Sequence, residues 1–159
     1  MLLDATLPYD LHLQEVPAAA RSAETLGFGA VWCAETQHDP FLPGPLIAEH
    51  SSRLKFGTAI AVSFARSPAT LAYTAWDLAR MSQGRFILGL GTQIKPHIER
   101  RFGMPWPDSP AGKLREQIAA IRAFWNAWQT GERLNFRGEY FKRVLVAVGD
   151  ENGFSTSTP

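Results

Sequence analysis

The sequence predicts an α/β fold of parallel strands, and three observations lead to this prediction. Short apolar runs begin near Leu2, Ala30, Phe56 and Phe86, at intervals of about 26 to 30 residues. Segments of helical character lie between them, which is the rhythm of repeated βα units. The run 55–62, K-F-G-T-A-I-A-V, is largely apolar without alternation, as in parallel strands that are buried on both faces.

The helices are placed by their end signals. The first is expected to begin near Pro17 and to stop at Gly27, because proline suits a first helical turn and glycine a helix end. A short second helix covers 45–50. Ser67 and Pro68 supply the cap and the first residue of a third helix, which ends before Gly84.

A longer helix is predicted from about Ala111 to Gln129. Its apolar residues fall on one stripe at steps of three and four, which predicts a core-facing side: Leu114, Ile118, Ile121, Trp125 and Trp128. The segment L-N-F-R-G-E-Y-F-K then reads as a small β-hairpin that turns at Arg137 and Gly138. We expect residues 1–148 to form the folded unit and 149–159, which lack apolar periodicity, to be a disordered or aberrant tail.

The composition excludes several classes of protein. With 159 residues, 45% hydrophobic and 19% charged, the chain resembles an ordinary globular protein. Sixteen basic and fifteen acidic side chains nearly cancel, so neither nucleic acid nor an anionic membrane is an expected partner. No apolar run reaches the roughly 18 residues of a membrane span, and the single Cys33 cannot form an internal disulfide. We expect a cytoplasmic protein with a small-molecule substrate.

Four βα units in series are compatible with two architectures. One is an open, doubly wound sheet, and the other is the first half of a closed (β/α)₈ barrel, which takes about 250 residues when complete. In both, ligands bind at the carboxyl ends of the strands. The polar residues there follow strand two (Glu35, Thr36, Gln37, His38, Asp39), strand three (Ser63, Arg66) and strand four (Gly91, Thr92, Gln93, and further on His97).

Each of the main candidates has two interpretations. His38 suits a general acid or base because the unperturbed pKa of histidine as a residue type lies near neutrality, but a loop histidine is also commonly a solvated residue. Glu35 suits proton transfer or ligand binding, and equally an ion pair with Arg66 or a helix cap. Asp39, which precedes Pro40, is favoured as a turn former.

The glycines of G-L-G-T, 89–92, allow a backbone to approach a flat or anionic ligand closely. The segment is not a dinucleotide fingerprint, because Ile94 stands where the third glycine belongs. His38 and His97 lack the spacing of a known metal site, so no metal is predicted. The run 99–101, E-R-R, suits either a phosphate contact or an exposed helix face.

Four motifs in order resemble the bacterial luciferase-like oxidoreductases, and most closely the branch that uses coenzyme F420: G-F-G-A-V-W-C-A-E-T-Q-H-D-P-F, R-L-K-F-G-T-A-I-A-V-S-F-A-R-S-P, M-S-Q-G-R-F-I-L-G-L-G-T and W-x-x-W-Q-T-G-E-R-L-N-F-R-G-E-Y-F. The resemblance covers Leu2 to about Phe141. It implies a (β/α)₈ barrel, here truncated to about the first four βα units plus the hairpin. It also implies a deazaflavin or, alternatively, FMN at the strand ends, with hydride transfer at the deazaflavin C5.

The resemblance assigns site residues position by position. A non-prolyl cis peptide that supports the ring falls on Ala59 and Ile60, with Ala61 next to it. Gly91 and Thr92 match residues along the ring and the start of the cofactor tail, and His97 matches a position that contacts the tail.

On the catalytic side, Glu35 or Ala34 falls where related enzymes place an acidic residue against the ring. Thr36 replaces an active-site histidine of several relatives, which makes His38 the substitute acid or base. Family members continue beyond the hairpin with further strands. The chain is therefore expected to complete itself as a homodimer, or to be a fragment that at most binds a flavin.

Overall fold

The computed structural model describes residues 3–142 and 144–146. Its strands are β1 (Ala5–Thr6), β2 (Ala30–Cys33), β3 (Lys55–Thr58), β4 (Ala61–Val62), β5 (Phe86–Ile87), β6 (Leu90–Gly91), β7 (Leu134–Phe136) and β8 (Val144–Val146). Strands β1, β2, β3 and β5 form one parallel sheet in that order. Neighbours in this sheet follow one another along the chain, as in a barrel and not as in a doubly wound sheet, whose strand order reverses.

The helices are α1 (Val16–Thr25), α2 (Pro43–His50), α3 (Pro68–Met81), α4 (Lys95–Arg100) and α5 (Pro110–Thr130), with short 3₁₀ turns at Leu13–Glu15 and Ser63–Ala65. Helix α1 packs on α2, α2 on α3, and α3 on α5, so the helices also follow chain order. The two orders together describe the first half of a (β/α)₈ barrel, as predicted.

Helix ends lie close to the predicted residues. The Ser67 hydroxyl accepts a hydrogen bond from the backbone N–H of Thr70 and caps α3, while Pro68 fills its first turn. Gly27, with φ of +82°, follows the end of α1 in the left-handed conformation that glycine adopts without a steric cost. The short helix α4 carries Glu99 and Arg100, both exposed, which agrees with the helix-face interpretation of the E-R-R run.

The third and fourth strands of the half-barrel are each built from two short pieces. The predicted cis peptide joins Ala59 and Ile60, between β3 and β4. Strand β3 pairs with β5, and β4 pairs with β6. At the break the Thr58 hydroxyl donates to the Gly89 carbonyl over 2.7 Å and accepts from the Gly89 N–H over 3.0 Å. This side chain therefore binds both polar groups of the Gly89 backbone at the break.

Two apolar clusters form most of the core. One lies between the first two helices and the sheet and includes Val16, Val31, Ile47 and Phe56. The other lies between α3 and α5 and includes Leu71, Ala72, Ile121 and Phe124. Burial of such side chains supplies the main driving force that places helices against strands.

The buried face of α5 is rotated from the predicted stripe. Of the predicted residues only Ile121 is fully buried; Leu114, Ile118, Trp125 and Trp128 are half-buried. The buried positions are Gln117, Ala120, Ile121, Phe124 and Ala127. The large indoles lie at the margin, where the Trp125 N–H donates to the Ala72 carbonyl and Trp128 stacks on Tyr73 with ring centroids 5.0 Å apart.

The hairpin prediction was wrong about its second strand. Strand β7 pairs antiparallel with β8, not with 139–142. The Glu116 carboxylate of α5 accepts hydrogen bonds from the backbone N–H groups of Glu139, Tyr140 and Phe141, which holds that segment as a loop. The predicted tail at 149–159 lies outside the described residues.

Candidate active site at the carboxyl ends of the strands

One arginine joins the loops that follow strands β2 and β4. Arg66 Nη1 lies 2.6 Å from Glu35 Oε2, and Arg66 Nη2 lies 2.9 Å from Asp39 Oδ2. Nη1 also donates to the Val62 carbonyl over 3.1 Å. Because a guanidinium presents its donors in a rigid fork, this one side chain fixes both ends of the segment 35–39.

Burial alone would lower the pKa of Arg66, but its hydrogen bonds and charge interactions with Glu35 and Asp39 outweigh this effect, and the pKa is raised. The Arg66 side chain is 16% exposed and that of Glu35 only 5% exposed. The guanidinium therefore stays charged beside two carboxylates, in a site that is largely shielded from solvent.

Glu35 and Asp39 both have the structural roles predicted for them, an ion pair with Arg66 and a turn, respectively. Glu35 Oε2 accepts from Arg66 and also from the backbone N–H of Val62, over 2.6 Å. Asp39 Oδ1 accepts from the N–H of Phe41, two residues on, as in an Asx turn. The ion pair of Glu35 with Arg66 is confirmed, while a catalytic role of Glu35 stays a prediction.

A buried glutamine ties this network to helix α5. Gln117 Nε2 donates to the Ser63 carbonyl over 3.0 Å and to the Arg66 carbonyl over 2.9 Å, and Gln117 Oε1 accepts from the Ser63 hydroxyl over 2.6 Å. Gln117 and Ser63 are fully buried. The backbone that carries Arg66 is therefore held from α5 while its side chain holds the loop after β2.

Thr36 and His38 lie between the two anchored positions. The Thr36 carbonyl accepts a hydrogen bond from the Arg101 guanidinium, so one arginine of the E-R-R run contacts this loop. The side chain of His38 is exposed and has no hydrogen-bond partner among the described residues. The loop thus presents an unengaged imidazole on a backbone that is fixed on both sides.

A cavity of about 310 Å³ opens between the loops that follow β1 and β2. The first loop contributes residues 7–9, 11–14 and 16. The second contributes 33, 34, 36 and 38–40, and the start of α2 adds 42 and 43. The predicted catalytic residues Thr36 and His38 both line it, and Glu35 does not. The volume lies at the lower end of the range of small-molecule sites.

Cys33 lines the cavity without being reactive. Its side chain is buried, and burial raises the pKa of its thiol to about 12. Since the thiolate is the nucleophilic form, Cys33 is inert near neutral pH.

The predicted cofactor residues do not line this cavity but lie next to it, along the third and fourth strands, where the Ala59 N–H donates to the carbonyl of the lining residue Cys33. Ala59 is exposed, and Ile60, Gly91 and Thr92 are half-buried. Because β4 pairs with β6, these four residues lie on neighbouring strands. Ala61, by contrast, is fully buried in the core, so its side chain cannot face a ligand.

His97 lies on α4 and is exposed. Among the described residues no group of three metal-ligating side chains is close enough to hold a metal ion. That part of the chain also contains no helix with the length and apolar character to cross a membrane.

The glycines of G-L-G serve the sheet itself. A Cβ at Gly89 would lie 1.9 Å from the Thr58 carbonyl oxygen, and one at Gly91 would lie 2.8 Å from Ile60 Cγ1. Both glycines therefore permit neighbouring strands to approach where the third and fourth strands break. Close approach to a ligand, the reason given from sequence, stays a prediction for Gly91.

Two parts of the site were not predicted from the sequence. The predicted site residues follow strands two, three and four, whereas the loop after the first strand brings Tyr9 and His12 to the cavity. The same rule about strand ends would have found them. The second part is Gln117, whose signal is a polar residue four positions before Ile121 on the apolar side of α5.

Comparison with known proteins places the chain in a family. The sequence model of the luciferase-like monooxygenase family matches residues 3–153. The chain belongs to this family. Luciferase-like proteins form a class of oxidoreductases, and the parallel half-barrel described above agrees with that assignment.

Two relatives illustrate its neighbourhood. An uncharacterised protein of Mycobacterium tuberculosis is 54% identical over 144 residues, which cover 91% of this chain and 42% of that protein. An F420-dependent glucose-6-phosphate dehydrogenase of Amycolatopsis mediterranei is 30% identical over 141 residues, which cover 80% of this chain and 41% of that enzyme. The chain thus spans less than half the length of these relatives.

Solved luciferase-like structures share the fold. The oxygenating constituent of 3,6-diketocamphane monooxygenase from Pseudomonas putida, in complex with FMN, matches with a TM-score of 0.77 at 18% identity over 92% of this chain and 45% of that chain. The F420-dependent tetrahydromethanopterin reductase of Methanopyrus kandleri matches with a TM-score of 0.72 at 22% identity over 94% and 45%. Both confirm the barrel-type fold of this chain.

Proposed function

We propose that this chain supplies the first half of the active site of an F420-dependent oxidoreductase, which transfers a hydride between the deazaflavin C5 and a small organic substrate. The observation that carries the proposal is the fixed loop 35–39, which presents Thr36 and His38 next to a small-molecule cavity at the carboxyl ends of parallel strands. The relative at 30% identity that is named as F420-dependent favours this cofactor.

The residues along the broken strands fit a flat ring. Ala59 is exposed and Ile60, Gly91 and Thr92 are half-buried, so all four present atoms to solvent at the strand ends. We assign these four residues to the cofactor and His97 to its tail. Bound there, a deazaflavin would supply the hydride chemistry, as cofactors do in general.

The protein's own task is then to hold the substrate and to move a proton. His38 is the candidate donor, because its imidazole lines the cavity and is not committed to another described residue. Thr36 supplies a hydroxyl that orients the substrate. Glu35 acts by keeping Arg66 and the loop in place, since its carboxylate is bound on the side away from the cavity lining.

The decisive experiment is a fluorescence titration of the purified chain with F420, beside an identical titration with FMN. We expect saturable binding of F420 and weaker binding of FMN. Ala59→Trp places an indole on the proposed ring surface and should abolish binding, whereas Ala111→Trp, at an exposed position of α5, should not. A folded sample that binds neither cofactor would overturn the proposal.

An FMN-dependent monooxygenase is the second candidate. It is favoured by the shared fold with the FMN complex of the diketocamphane enzyme constituent. Saturable binding of FMN in preference to F420, in the same titration, would select it.

A further inference from the structure

The cavity between the loops after β1 and β2 has a predominantly apolar wall. Its apolar lining residues are Val16, prolines 8, 40 and 43, and the leucines Leu7, Leu11, Leu13 and Leu42. Covering such a wall with an apolar molecule removes it from water, which favours binding. It offers little to a heavily hydroxylated ligand.

The charges around the cavity do not suit an anion. Within the described part of the chain, no Lys or Arg side chain lines it, and its one carboxylate, Asp39, is bound to Arg66. Arg66 is itself shared between Asp39 and Glu35, and Arg101 is turned to the Thr36 carbonyl. Among the described residues that line the cavity there is therefore no lysine or arginine to bind a phosphate or a carboxylate.

The polar side chains that line the cavity are those of Tyr9, His12, Gln14, Thr36, His38 and Asp39. His12 and His38 belong to different loops, and both are exposed members of the lining. A neutral imidazole carries one N–H donor, which suits a single acceptor such as a carbonyl oxygen or an imine nitrogen. An apolar wall with a few orienting polar groups is the usual form of a small-molecule site.

We propose that this cavity binds a neutral, mainly apolar molecule that carries one carbonyl or imine acceptor, and that it does not bind a sugar phosphate. This proposal rests on the proposed function, in which that molecule would be the hydride acceptor. The acceptor atom is held by the imidazoles of His12 and His38, and the carbon skeleton lies against the leucines. The cavity itself belongs to this chain and needs no cofactor to be occupied.

The test uses the purified chain without cofactor and saturation-transfer NMR with two probes, 2-cyclohexenone and glucose 6-phosphate. We expect saturable transfer to the enone alone. Leu42→Asp, which charges the wall at an exposed position, should weaken enone binding about tenfold. Leu26→Asp, at an exposed leucine outside the lining, is the matched control and should leave it unchanged.

His12→Phe combined with His38→Phe tests the acceptor contact and should also weaken enone binding about tenfold, while its folding is checked by circular dichroism. Equal binding by wild type and Leu42→Asp, transfer to glucose 6-phosphate, or no transfer to the enone from a folded sample would overturn the inference. Since no F420 is present, these outcomes do not depend on the cofactor titration. Enone binding without F420 binding would support the cavity and reject the cofactor.

Discussion

Arg66 Nη1 and Glu35 Oε2 lie 2.6 Å apart and connect the ends of two neighbouring parallel strands. Both side chains are largely withdrawn from solvent, and each has further partners: Asp39 for the arginine and the Val62 N–H for the glutamate. An ion pair in such a place costs desolvation when it forms, but its loss leaves a buried charge without a partner.

Arg66→Met should therefore lower the free energy of unfolding by about 3 kcal/mol, because Glu35 and Asp39 lose their counter-charge. Urea denaturation of wild type and variant measures this. Arg21→Met is the matched control, since Arg21 is exposed and has no ion pair among the described residues, and should change stability by less than about 0.5 kcal/mol. Similar losses in both variants would show that the network contributes no special stability.

Gln117→Leu should cost about 2 kcal/mol even though it makes the α5 face uniformly apolar. The Ser63 and Arg66 carbonyls would each lose a donor, and a buried acceptor without a partner costs more than a hydrogen bond contributes. Gln129→Leu, at an exposed position of the same helix, is the control for the change in composition. A thermal melt in which Gln117→Leu matches or exceeds wild type would contradict this account of the network.

Gly89→Ala should be strongly destabilising, by about 3 kcal/mol, because the new Cβ would meet the backbone oxygen of Thr58, which cannot move without breaking the sheet. Gly44→Ala is the contrast. Its Cβ would meet side-chain atoms only, the Leu78 methyl groups at 2.9 and 3.2 Å and a Phe56 ring carbon at 3.3 Å, and alanine is favoured in helix α2. We expect Gly44→Ala to be within about 1 kcal/mol of wild type. If chemical denaturation showed comparable losses of stability in the two variants, this prediction would be contradicted.

Glu24 should make stability fall in acid. The backbone N–H of Arg53, opposed by burial and helped by the N–H groups of Leu54 and Ser52, holds the pKa of the Glu24 carboxyl below its ordinary value of 4.5. A carboxyl with a lowered folded-state pKa stabilises the fold above its unfolded pKa. This contribution is lost as the pH falls through the folded-state pKa. The window therefore lies below about pH 4.5.

Glu24→Gln should be roughly 1 kcal/mol less stable than wild type at pH 7, because the carboxylate that joins the end of α1 to the start of β3 loses its charge. Below pH 4.5 the difference should shrink. Glu49→Gln, at an exposed carboxyl on α2, is the control. A difference between Glu24→Gln and wild type that stays constant from pH 7 to pH 3 would rule out the linkage.

Much of the fold was predictable because it depends on local signals. Prolines, capping serines and glycines mark where helices begin and end, and the spacing of apolar runs indicates βα units. The choice between barrel and open sheet was not decided by these signals, because it depends on which strands pair. The rotated face of α5 was also not predicted. A pattern based on hydrophobicity gives tryptophan more weight than alanine, whereas the buried face of the helix contains Ala120 and Ala127.

The location of the site was easier to predict from the sequence than the role of each residue in it. Strand ends pointed to Thr36 and His38, and the cavity contains both. The partners of Glu35 were left open because its distance from Arg66 in the sequence is 31 residues, and no local pattern reports such a contact. The hairpin prediction was wrong for the same reason, because no local pattern indicates that the Glu116 carboxylate binds the backbone of 139–141.

In the segment 35–39, the side chains of Glu35 and Asp39 hold the loop, while those of Thr36 and His38 line the cavity. Glu35 and Asp39 are fastened to Arg66, while the side chains of Thr36 and His38 carry no part of that fastening. Changes at 36 and 38 can therefore alter what the cavity accepts without loosening the frame. This separation makes the loop a suitable place to introduce new substrate preferences by saturation mutagenesis of two codons.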